Sequence, residues 1–207
     1  MRCCWIAAGL ALAAAVSATA AVAAPPEARD AKWPCQQIKV AQLSLAAVWN
    51  GPLPDTQQGD WQQDHEVAEL VAAIVPRRVP LEQAQQKIQA FAVRIGATKQ
   101  PKLLATLSGV FNVLDAERTS VIVGLDRFGA RQKELATALR AANERLRALQ
   151  SDPRSDPGEL NQMMQRVSWE AQVFQDRREA MRYACDVPGK IEQRLFALAQ
   201  AIRDAME

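Results

Sequence analysis

The chain has one His, one Tyr and four Cys among its 207 residues, too few for a multi-histidine metal centre or a cysteine-rich zinc module. It has no G-x-S-x-G, no glycine-rich phosphate loop, no H-E-x-x-H and no C-x-x-C-H. A nucleophile-elbow hydrolase, a P-loop enzyme, a zincin and a c-type haem protein therefore lack their sequence carriers. The expectation is a chain that is not an enzyme and calls for no cofactor. An excess of one charge is missing too: Lys+Arg 25 against Asp+Glu 23 leaves +2, without the basic footprint of a nucleic-acid binder. What is present is 49% hydrophobic and 23% charged residues, enough to bury a core in one or two domains.

The first 23 residues read as a cleaved signal peptide. Arg2 gives a short positive start, Trp5 to Ala24 is uncharged and rich in Ala, Leu and Val, and Ala21-Val22-Ala23 has the A-x-A form. Cutting after Ala23 leaves Ala24 as the new N-terminus. A retained anchor is the rival, since about 20 apolar residues can span a bilayer. A lipoprotein fits less well, because Cys3 and Cys4 precede the apolar run. The expected address is the periplasm, with no stable membrane span after processing.

Processing removes Cys3 and Cys4 and leaves Cys35 and Cys185 in an oxidising compartment, where a structural disulfide is expected. A redox-active dithiol would more typically show the C-x-x-C spacing.

Residues 24–59 form an irregular arm punctuated by Pro25, Pro26, Pro34, Pro52, Pro54, Gly51 and Gly59, and anchored by Trp33 and Trp49. A strand over Gln36–Leu45 would lack a partner. From residue 60 onward the fold class is all-α, a helical bundle containing a long antiparallel coiled-coil-like hairpin at about 116–185. Asp60 is the expected N-cap of a first helix that carries Val67, Leu70, Val71 and Ile74 and stops at Pro76. A second helix runs from Pro80 to Gly96. A third opens at Pro101, with Leu103, Leu107, Val110 and Leu114 on one stripe, and a bend is expected at Asn112–Asp115.

Beyond that bend, Val121, Leu125, Phe128, Gln132, Leu135, Leu139, Ala142, Leu146 and Leu149 follow four- and three-residue steps, a heptad seam with one polar member. Gly124 and Gly129 within it suggest close packing or a curve. After a turn at Ser151–Gly158, a second seam runs through Leu160, Met164, Val167, Ala171, Phe174, Arg178, Met181 and Cys185. Ile191, Leu195, Leu198, Ile202 and Ala205 stripe a closing helix. A turn centred near Arg154 places Gln132 opposite about Asp176, Arg178 opposite about Ala130, and Cys185 near Val123.

Gln132 and Arg178 are thus expected to share a polar seam layer, with Asp176 or Asp126 as acceptors. Such a layer sets register, and its alternative use is as an anion site. Near the tip, Met163, Met164 and Trp169 are candidate partner contacts, Met for adaptability and Trp for its weight in hot spots; ordinary core filling is the alternative. His65 and Glu69, one turn apart, are the weak metal candidates, two ligands short of a site, so no metal is expected. Basic runs at Arg77-Arg78, Arg140 to Arg147 and Arg177 to Arg182 are interleaved with acidic and amide residues, as on solvated helix faces.

These features describe an exported, non-enzymatic interaction or accessory protein, adaptor- or chaperone-like, that binds another periplasmic or envelope protein through its hairpin. Nucleic acid is not an expected partner. The alternative is a periplasmic carrier holding a small molecule or metal in an interior helical pocket.

Overall fold

The structure is a computed structural model that describes residues 32–54 and 60–207. The expected signal peptide, Pro25, Pro26 and Gly59 lie outside the described residues. Among the described residues there is no strand, and no helix is long and apolar enough to cross a membrane.

Six α-helices follow in order among the described residues: α1 (Leu45–Val48), α2 (His65–Ile74), α3 (Leu81–Ile95), α4 (Lys99–Ser151), α5 (Pro157–Cys185) and α6 (Val187–Met206). The chain is all-α, as its periodicities predict. Helix α4 is the spine, 53 residues and about 80 Å long at 1.5 Å per residue. Its N-terminal half packs against α2, α3 and α6, and its C-terminal half against α5. Val67, Ile88, Leu107, Leu114, Leu195 and Ile202, all fully buried, come from these four bundle helices.

Two expectations about helix starts are corrected. Asp60 opens a short 3-10 turn (Trp61–Gln63), and the N-cap of α2 is Asp64, whose side chain accepts from the Glu66 and Val67 amides. The bend at Asn112–Asp115 does not exist, because α4 runs unbroken through both residues. The Leu103–Leu114 stripe continues into the hairpin seam by way of Arg118, which is 2% exposed, so one buried row spans the supposed break.

The ends of α2 and α3 fall where Pro76 and Gly96 place them. Gly96 has φ +53°, the left-handed conformation that glycine adopts most readily. The turn from α2 to α3 is held by Arg194 of α6, whose guanidinium donates to the carbonyl oxygens of Ile74 (2.6 Å), Val75 (2.9 Å) and Val79 (3.0 Å). The Ile74 and Val75 carbonyls are ones the end of α2 leaves without helical partners, and Val79 O belongs to the turn before α3. Burial pushes the Arg194 pKa down, with Glu117 opposing.

The arm is draped over the bundle. Trp49, 5% exposed, enters the core and donates its indole N–H to Pro52 O at 2.8 Å. Cys35 and Cys185 form a disulfide with Cα atoms 5.6 Å apart, beside Leu125, Phe128 and Met181 of the hairpin base. Gly129 is where the arm crosses α4: a Cβ there would lie 2.3 Å from Lys32 O and 3.1 Å from Pro34. Close packing thus explains Gly129. Gly124 has open space around it, and nothing in the structure explains it.

Candidate functional site

The hairpin projects. On α4 no residue beyond Gly129 is fully buried, and α5 packs on α4 with only slight contact to α6. From Gly129 to Ser151 the hairpin therefore extends roughly 30 Å as a two-helix structure. Its tip is built from local acceptors: Asp152 takes the Arg154 amide (2.9 Å), and Asp156 caps α5 through the Glu159 amide (2.8 Å), with Pro157 in the first turn.

Pairing across the hairpin scatters about the expected register. Gln132 Nε2 donates to Phe174 O at 3.0 Å, Arg145 pairs with Glu159 at 2.9 Å, and Cys185 clusters with Leu125. These contacts fall two to four residues to either side of the expected facing positions, with no uniform shift of the turn axis.

The polar layer predicted from Gln132 and Arg178 does not form. Gln132 is half-buried and bonded to backbone, while Arg178 is exposed. The proposed acceptors are committed elsewhere, Asp126 to Lys39 at 2.8 Å and Asp176 to Gln172 at 2.7 Å. Between Phe174 and Met181 no α5 side chain fills the seam. There Gln132, Lys133, Phe174 and Arg178 line a cleft of about 820 Å³, closed at one side by the arm at Pro34–Gln37 and by the disulfide.

Nearer the tip the inward row passes through Leu160, Met163, Val167 and Glu170. Met163 is half-buried in the seam, and Met164, expected there, is 48% exposed. Trp169 is 68% exposed, outside the seam as expected. Five residues separate Met164 from Trp169, about 140° around a helix, so they mark two sides of α5 and not one patch.

His65 and Glu69 lie 3.7 Å apart on the surface of α2, both strongly exposed. No group of three or more metal-binding side chains stands together among the described residues. The acidic start of α2 is engaged by cations: Lys102 reaches Asp64 (3.2 Å) and Glu66 (2.5 Å), and Arg94 reaches Glu66 (2.8 Å). Burial raises the Asp64 pKa, but the Val67 amide and Lys102 outweigh it and hold the carboxyl below its ordinary value. Glu66 is lowered chiefly by its hydrogen bond from Lys102, and Lys102 is raised chiefly by the same bond.

The polar residue that pattern reading missed is Arg118. Its Nε donates to Glu192 Oε1 at 2.6 Å and its Nη2 to Val40 O at 2.7 Å. Its Nη1 is buried with no partner among the described residues. The signal was available: Arg118 stands four residues after Leu114 and three before Val121, a polar member of an apolar row, as Gln132 is. Placing a bend before it cut the row in two. Comparison with protein families, with curated proteins and with solved structures returns no match for this chain.

Proposed function

We propose that the chain is an exported, non-enzymatic accessory protein, adaptor- or chaperone-like, that engages another periplasmic or envelope protein through its projecting hairpin. The observation that carries this reading is Trp169. A 68% exposed Trp on α5, in the stretch that leans on α4 alone, contributes little to its own fold and suits a hot spot. Export is supported by the leader's layout and by the Cys35–Cys185 bridge, which suits an oxidising compartment.

The test shortens the hairpin in phase. Deleting residues 137–143 together with the facing 163–169 removes one heptad from each helix, keeps the seam aligned and draws the tip in by about 10 Å. The expected result is a chain that keeps its helicity and thermal transition but loses a partner that the mature chain and a Met164→Gln control both retain. Undiminished retention by the shortened chain, or by Trp169→Ala, would overturn the reading. Intact mass of exported protein tests the address: a mass beginning at Ala24 is expected, and a retained leader would contradict it.

A further inference from the structure

We propose that the outer face of α5 seats an amphipathic α-helix of the partner, one whose apolar stripe carries a Lys or Arg. The inference rests on the hairpin reading and names what the hairpin holds. Beside the seam, a second heptad row runs along α5: Trp169, Val173, Asp176, Ala180 and Tyr183 follow steps of four, three, four and three. Tyr183 stands two heptads after Trp169, about 21 Å along the same side of the helix.

The fold of α5 makes little use of this row. Burial falls on the seam side, at Val167 and Met181, whereas Trp169 and Tyr183 are 68% and 70% exposed, Ala180 is exposed and Val173 is half-buried. The neighbouring face, Ser168, Gln172, Gln175, Glu179 and Arg182, is exposed and wholly polar. The apolar surface is therefore a stripe with a polar border. Its period of 3.5 residues over four turns matches the knobs and holes of another helix, while an extended strand presents its side chains at a period of two.

Asp176 selects the occupant. It is the charged member of the row, exposed, accepting from Gln172 at 2.7 Å and meeting no cation among the described residues. A helix laid on the row removes water from this carboxylate, and a buried carboxylate without a counter-ion is costly. A Lys or Arg in the facing stripe offsets that cost. Glu179 on the polar border and Asp186 just past the end of α5 are exposed and likewise without an ion pair among the described residues, so they favour basic residues along the same edge of the incoming helix. A second copy fits less well, since two antiparallel rows in register set Asp176 against Asp176.

A photo-reactive phenylalanine analogue placed singly at positions 169, 173, 180 and 183, and at 168, 175 and 182 on the polar face, tests the site in the full chain in intact cells. The row positions should give one and the same heterologous adduct, and the polar positions about tenfold less of it. The linked partner residues should lie three or four apart in its sequence, beside a Lys or Arg. Asp176→Lys, at an exposed position, should lower the adduct from position 183 about tenfold. An adduct from 169 with none from 180 or 183, equal yields from the polar face, linked residues two apart, an adduct of two copies of the chain, or full yield in Asp176→Lys would each overturn the proposal. The first of these leaves the hairpin reading standing, whereas absence of an adduct at every position, 169 included, contradicts both.

Discussion

Arg118 Nε meets Glu192 Oε1 at 2.6 Å, and the two ends of this pair are unequally buried, with side chains 2% and 39% exposed. Removing either partner therefore has a different consequence. With Arg118→Met, Glu192 turns to water. With Glu192→Leu, the guanidinium stays inside without its counter-ion. The expected losses in urea unfolding are about 1 kcal/mol for Arg118→Met and about 3 kcal/mol for Glu192→Leu. Equal losses would mean that Arg118 escapes to solvent when unpaired.

Arg194 closes the α2–α3 turn by donating to three carbonyl oxygens. A lysine ammonium keeps the charge but cannot reproduce the fork. Arg194→Lys should destabilise the chain by about 2 kcal/mol and raise amide exchange at the end of α2 and the start of α3, leaving the distal hairpin unchanged.

The Cys35–Cys185 bridge closes a span of 150 residues. In the chain-entropy picture such a loop stabilises by up to about 5 kcal/mol. Cys35→Ala with Cys185→Ala should lower the melting temperature while the four-helix core stays helical, because that core holds no part of the bridge. Loss of exchange protection should concentrate in the arm at Trp33–Val40.

Asp64, Glu66 and Lys102 make the start of α2 pH-sensitive. The carboxyls are held below their ordinary values, so their contribution is full above the ordinary carboxylate range and is lost as pH falls through the lowered values. Lys102 is raised, so its contribution is full below its ordinary value and is lost as pH rises through the raised one. Lys102→Met should flatten the decline in stability between about pH 5 and pH 2, and the decline at strongly alkaline pH as well. Parallel curves for the two proteins would contradict the assignment.

The helices were legible wherever apolar spacing and punctuation agreed. Ile74 before Pro76, Ile95 before Gly96, and the Leu103–Leu114 stripe all lie where pattern alone places them. The bridge followed from parity and compartment. Asn112 and Asp115 misled, because a capping composition signals a helix start only when the apolar row also breaks, and here Arg118 carries it through. Arg178 misled for another reason. Heptad phase assumes two helices in continuous contact, and the arm with the disulfide shapes an open cleft at that level. The Arg118 pair was out of reach of local pattern, since Val40 and Glu192 come from distant parts of the chain.

The central claim is that the hairpin, and not the bundle, meets a partner. Site-specific photo-crosslinking in intact cells tests it most directly, with the reactive residue at Trp169 on the hairpin or at Phe196, 52% exposed on the bundle. The account predicts one discrete heterologous adduct from position 169 in the exported fraction, absent from position 196. An adduct from position 196 alone, or none from 169 in correctly exported protein, would contradict it.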